Sequence, residues 1–138
     1  MAMATISEYQ KDIFEVTIHS EGLSDQSFAE FLIQLEELYQ TRKNIILVVD
    51  ATKALHLPTP YRQRMGNWMA QNKSLIRDSC VFQIYVVHSP LVRFVLQGIF
   101  LIQKPPVSFK TMSHKGDARK LAVEIMESLQ GVPLDHHM

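Results

Sequence analysis

One cysteine, Cys80, among 138 residues excludes an internal disulfide, and its place at the head of the apolar run CVFQIYVV marks it as a small buried thiol. Neither sign of charge is in excess. Fourteen Lys and Arg against 14 Asp and Glu leave a formal net charge of zero, so no global field gathers nucleic acid or anionic lipid, although a local basic patch remains open. The opening MAMATISEYQKDIF lacks a basic region followed by an apolar stretch, so no secretory signal is expected and a reducing cytoplasm is the expected location. The greasiest segment is apolar over residues 91–102, well short of the roughly 20 residues a membrane span needs. None of the six histidines pairs with another His, Cys or acid at a usual zinc-ligand spacing apart from the adjacent His136 and His137, so neither a metal site nor a cofactor is expected. There is no serine elbow, phosphate loop or GxGxxG, and RMGNW holds a lone glycine in a helical pattern.

What is present is ordinary globular composition, 46% hydrophobic and 20% charged, in a length that suits one domain over residues 1–138. IFEVTIHSEG alternates Phe14, Val16 and Ile18 against Glu15, Thr17 and His19, the period of a half-exposed strand, and ATISEY before it completes an antiparallel hairpin over about residues 5–18. In LSDQSFAEFLIQLEELYQTRKN the period changes to helical, with Phe28, Phe31, Leu32, Leu35, Leu38 and Tyr39 on one stripe and Ser24 or Asp25 placed to cap. NIILVVD is a continuous apolar run ending in Asp50, as a central strand covered on both faces should be. TPYRQRMGNWMAQNKSLIR is helical from its proline, with Thr59 as the cap; SCVFQIYVV is the next strand; and SP at Ser89 and Pro90 opens a further helix that Pro105 and Pro106 stop. VSFKTM is short enough for an edge strand, and DARKLAVEIMESLQG is a closing helix with Gly131 at its end, followed by a tail over residues 131–138 that is expected to be flexible. The order β-β-α-β-α-β-α-β-α is that of an α/β domain with parallel crossovers and a mixed sheet.

That order, together with VVD and its loop, YRQRMGNWM, NKSLIRDSCVFQIYVV and SPLVRFVLQGIFLIQKPPVSFK, resembles the SpoIIAA-like branch of the STAS domains over residues 5–129. The resemblance implies a mixed sheet of about five strands with helices packed mainly on one face, and a regulatory module that binds other proteins or, in the wider group, lipids or nucleotides. Anti-sigma antagonists of the family carry an Asp-Ser-Ser-Gly-like motif at the start of the helix after the central strand, where a serine is phosphorylated. The corresponding stretch here is LPTPY, in which Thr59 is the only hydroxyl. Pro58 stands where the family has an acid, and Pro60 and Tyr61 replace a small residue and a glycine, so Thr59 is a phosphorylation candidate without the family's surroundings.

Read from the residues themselves, Asp50 at the C-terminal end of a parallel strand, with His56 in the following loop, is a candidate base, ligand or partner contact. The alternative is that its carboxylate caps the loop backbone. No nucleophile with an activating neighbour accompanies the pair, so an enzyme is not expected. Arg62 and Arg64 project in different directions, and Trp68 falls on the apolar stripe with Tyr61 and Met65. The segment HSPLVRFVLQGIFLIQKPP, residues 88–106, is apolar over far more than a core-facing stripe requires, with Arg93, Gln97 and Lys104 along one line. Such a helix can be enclosed, can form a dimer or partner face, or can line a slot for an apolar ligand or meet a membrane surface. The leading expectation is a non-catalytic protein-interaction module, homodimeric, whose surface includes Thr59, Arg62, Trp68, Leu91, Arg93, Phe94, Gln97 and Phe100. The alternative is a domain that binds a lipid or other small apolar ligand between the two helices, with Trp68 and Met69 as lining.

Overall fold

Strand β1 (Ala4–Gln10) turns back into β2 (Ile13–Ile18) through Asp12, whose φ of 65° is a left-handed conformation that a short polar side chain tolerates. The turn is tied down from outside: the Asp12 amide donates to Glu8 Oε2 at 2.8 Å, and Arg42 Nη2 pairs with Glu8 at 3.0 Å and with Asp12 at 2.9 Å. The computed structural model describes residues 2–54 and 56–131, so the tail expected to be flexible lies, apart from Gly131, outside the described residues.

Helix α1 (Asp25–Thr41) starts at a reciprocal cap. The Ser27 amide donates to Ser24 Oγ at 3.0 Å and the Ser24 amide to Ser27 Oγ at 2.8 Å, which satisfies two backbone donors the first turn would otherwise leave open. The helix buries the expected stripe of Phe28, Phe31, Leu35, Leu38 and Tyr39. Then follow β3 (Ile45–Asp50), α2 (Thr59–Gln71), α3 (Lys73–Ser79), β4 (Cys80–Val86), α4 (Pro90–Ile102), β5 (Phe109–Met112) and α5 (Lys115–Leu129). The single helix expected over residues 59–77 is two helices, because Asn72 leaves helical geometry at φ −113°, ψ 21° and its side-chain amide donates to the Trp68 carbonyl at 2.9 Å. Thr59 is not the cap. The helix begins on it, Pro58 takes the cap position, and Thr59 Oγ1 instead accepts from Arg62 Nη2 at 2.8 Å.

The five strands form one sheet in the order β1-β2-β3-β4-β5, antiparallel between β1 and β2 and parallel thereafter, with β3 central as its unbroken apolar run implies. Alternation along the strands assigns their side chains to two layers. Ile13, Ile46, Val48, Ile84 and Val86 pack under α5 against Ala118 and Ala122, both fully buried and one helical turn apart, where small side chains let the helix lie close. Phe14, Val16 and Leu47 pack on the other face against α1 and α3, while α2 and α4 lie over that face toward the strands' C-terminal ends. The helices are therefore mainly on one face, four against one. The expectation that Glu15 faces solvent fails for this reason: α5 covers the face it points to, and Glu15 is 5% exposed.

Candidate functional site

The four-helix face is incompletely filled. A cavity of about 120 Å³ lies between β2, β3 and β4 below and α1, α2 and α4 around it. Its walls are apolar for plain sequence reasons: the inward positions of β2 and β3 are Val16, Leu47 and Val49, α1 contributes Phe28, Phe31 and Leu35, and α4 contributes Val92, Val95 and Ile99. His56 stands exposed at the rim.

Besides Ser20 and His56, three polar side chains line this cavity, and they engage one another. Gln83 and Tyr85, two apart on β4, share a face; Tyr85 Oη donates to Gln83 Oε1 at 2.5 Å, and Gln83 Nε2 donates to Tyr39 Oη of α1 at 3.2 Å. Burial pushes both phenols well above the ordinary tyrosine range, with the nearby Cys80 adding to the shift, so both stay protonated. Cys80 itself, buried under α1, has its thiol pushed up to about 11 by desolvation, which removes it as a nucleophile.

Over the cavity α2 and α4 cross closely. A Cβ added at Gly66 would fall 2.6 Å from the Ile102 Cβ, so glycine is what allows the two backbones to approach. Arg62 lies against Gly98 of α4; its guanidinium is 5.8 Å from the Phe94 ring centroid and its buried Nε has no hydrogen-bond partner among the described residues. Trp68 stacks on Tyr39 at 6.4 Å, and Phe100 meets Tyr85 edge-on at 5.3 Å. These two residues of the expected surface therefore line the interior.

Of the other residues of that surface, Arg62 is half-buried, whereas Thr59, Leu91, Arg93, Phe94 and Gln97 face outward. On α4 the inner side, Val92, Val95 and Ile99, is buried, whereas Leu91, Phe94 and Leu101 are 55%, 60% and 89% exposed, with Arg93 and Gln97 exposed beside them. Among the described residues nothing encloses the outer side of this helix. Its neighbourhood is also mainly basic: neither α2 nor α4 carries a carboxylate and between Asp50 and Asp117 the only acid is Asp78, so although Asp25 of α1 pairs with Arg64 at 3.4 Å, Arg62, Arg93 and Lys104 give a locally basic side to a chain of zero net charge.

Asp50 and His56 are not brought together as a reacting pair. Asp50 points to the α5 face, where Oδ1 accepts from the Thr52 amide at 3.1 Å and hydroxyl at 2.7 Å, and Oδ2 pairs with Lys115 Nζ at 3.5 Å. Burial pushes its carboxyl up, but Thr52 and Lys115 outweigh burial and hold it below the usual carboxylate range. It caps the loop. Beside it Glu15 is gripped by the Arg119 guanidinium through both carboxylate oxygens, with Nη2 to Oε1 at 2.9 Å, and by Lys115 at 3.6 Å. The Arg119 hydrogen bonds, aided by Lys115, hold Glu15 low despite its burial. Among the described residues no group of three His, Cys, Asp or Glu side chains is placed to hold a metal ion, and no helix is long and apolar enough to cross a membrane.

The residues that sequence reasoning missed are Tyr39, Gln83 and Tyr85 at the cavity and the Glu15, Lys115 and Arg119 cluster. Gln83 carried a signal, a lone amide in an otherwise apolar strand; the cluster carried none, since its members lie about a hundred positions apart.

Sheet, cavity and cover together define an α/β domain with a mixed five-stranded sheet and an apolar interior chamber. No family model matches the chain, and neither does any curated protein.

Proposed function

We propose that this chain is a non-catalytic, STAS-like binding domain whose interior chamber takes up a small apolar ligand. The observation that carries the reading is the apolar void of about 120 Å³ in a domain of 138 residues. Filling an apolar space of that size supplies up to about 3 kcal/mol of contacts. Apolar cavities of about 150 Å³ stay dry and admit benzene. The mixed five-stranded sheet and the four-against-one distribution of helices fit what the STAS resemblance implies. The absence of a catalytic role rests on the buried, protonated Cys80 and on an Asp50 already engaged by Thr52 and Lys115.

The test is thermal unfolding with toluene or benzene at increasing concentration. Saturation to about a hundredfold over Kd should add about 2.7 kcal/mol, a rise in Tm of roughly 8 °C. Val95→Phe, which fills the chamber from α4, should abolish the response while leaving a cooperative transition. A Tm indifferent to every such compound in the native chain would remove the reading.

A second reading, that the outer face of α4 binds a protein, is favoured by the exposure of Leu91, Phe94 and Leu101 beside Arg93. With no carboxylate on α2 or α4, a second copy docked face to face would set cation against cation, so a partner with an acidic rim fits better than a homodimer. Phe94→Asp should then stay folded, within about 1 kcal/mol of the native chain, because the side chain it replaces is already in water. Light scattering across a hundredfold dilution decides the oligomer: a native dimer that Phe94→Asp converts to a folded monomer makes this face a self-interface after all.

A further inference from the structure

The polar cluster in the chamber does not close on itself. Two phenols and one carboxamide bring two hydroxyl hydrogens and two amide hydrogens to a space whose only other polar lining, Ser20 and His56, belongs to the loops at its edge. Tyr85 Oη spends its hydrogen on Gln83 Oε1, and one Gln83 amide hydrogen goes to Tyr39 Oη. The Tyr39 hydroxyl hydrogen then has no acceptor among the described residues. Turning the amide by 180° does not repair this: Tyr39 would donate to the carboxamide oxygen, the amide would donate to Tyr85, and the Tyr85 hydrogen would be the one left over. Tyr39 is 2% and Tyr85 7% exposed, so bulk water does not satisfy them, and burial keeps both phenols as donors. A buried donor without an acceptor is unfavourable, and the chamber is the open space that all three side chains line.

We propose that the ligand of this chamber is a small apolar molecule carrying one hydrogen-bond acceptor, of the ketone, aldehyde or ether class, whose oxygen is received by the free phenol hydrogen of the Tyr39, Gln83 and Tyr85 cluster. The inference rests on the ligand-binding reading above and narrows it from hydrocarbon to acceptor-bearing compounds. A carboxylate does not fit, since no lysine or arginine is among the side chains that line the chamber and His56 lies at its exposed rim, away from the phenols. Neither does a donor-only ligand, which would leave the Tyr39 hydroxyl hydrogen without an acceptor. The size admits a single ring.

Cyclohexanone and methylenecyclohexane have nearly the same shape and differ in a carbonyl oxygen against a CH2, so they isolate the hydrogen bond. Their affinities are to be measured by titration followed in two-dimensional NMR, on the native chain and on Tyr39→Phe, Tyr85→Phe and the double variant. At least one of the single variants should lower cyclohexanone affinity roughly tenfold, with methylenecyclohexane unchanged or tighter, and the double variant should lose the discrimination altogether. Both variants remove only an oxygen, and the spectra themselves report whether each remains folded; if a Tyr→Phe chain does not fold, Gln83→Leu, which frees both phenols, replaces it and should strengthen cyclohexanone binding relative to methylenecyclohexane. If both compounds bind and no variant alters the ratio of their affinities, the acceptor inference falls while the ligand reading stands. If neither compound shifts any chamber resonance, both fall.

Discussion

Phe28→Ala lowers the stability by about 3–5 kcal/mol, the range for a buried phenylalanine truncated in a well-packed core, and the midpoint of thermal unfolding drops by more than about 10 °C. Phe28 is 1% exposed and lies in the wall of the chamber. Its ring is tilted against Tyr61 at 5.2 Å and capped by the Arg64 guanidinium at 4.7 Å, so truncation removes an aromatic pair and a cation contact as well as area. It also joins a new void to an existing one. A chamber enlarged in this way accepts a two-ring compound, and naphthalene should restore a measurable part of the lost Tm in Phe28→Ala while doing little for the native chain. Recovery by naphthalene separates a chamber that holds ligand from a mere packing defect, which truncation would only worsen.

Replacing Arg119 with Met costs about 2–3 kcal/mol, and the reason is what it leaves behind. Glu15 remains buried with only Lys115 near it, and an under-compensated interior carboxylate is worse than none. The estimate sits below the usual range for breaking a buried pair because the Arg119 side chain is itself 36% exposed. Glu15→Met combined with Arg119→Met should therefore lie closer to the native chain than Arg119→Met alone. The pH dependence follows from the same group. Glu15 is held below its ordinary range in the folded protein, so the stability it contributes is complete above the unfolded carboxylate value near pH 4.3 and is lost as pH falls through the folded value. Asp50, also lowered, acts in the same direction. The gap between native and Arg119→Met is thus widest at neutral pH and narrows in acid, where a protonated Glu15 no longer requires the guanidinium; urea unfolding at pH 7 and pH 3.5 measures it. A gap that does not narrow would mean that Arg119 stabilises through packing, for instance against the Tyr9 ring at 4.5 Å, and not through charge.

Sequence periodicity made the layers legible. The stripe of Phe28, Phe31, Leu35, Leu38 and Tyr39, the run of residues 45–50 and the prolines that open α2 and α4 each specify an element from local physics, and the structure has those elements in the order they predict. Periodicity misled where coverage was at stake. Glu15 alternates with apolar neighbours as a solvent-facing residue would, but whether solvent or α5 lies on that side depends on a helix a hundred residues later. Thr59 looked like a cap because Pro60 follows it, yet Pro58 before it takes the cap position and Arg62 claims its hydroxyl. At α4 the sequence showed more apolar surface than one face can use, and only the packing divides it into Val92, Val95 and Ile99 inside and Leu91, Phe94 and Leu101 outside.

The amino-acid order by itself determines the element string, the central place of β3, the burial of Cys80 and the surplus of apolar surface on residues 90–102, because each depends on neighbours within a few turns or strand steps. Tertiary structure alone decided the chamber and its chemistry. A void is a property of how α1, α2 and α4 fail to fill the space above β2, β3 and β4, and Tyr39 meets Gln83 across 44 positions of chain. Local pattern carries no information about volume left between elements or about which hydrogens find an acceptor, and the proposed ligand rests on those two quantities.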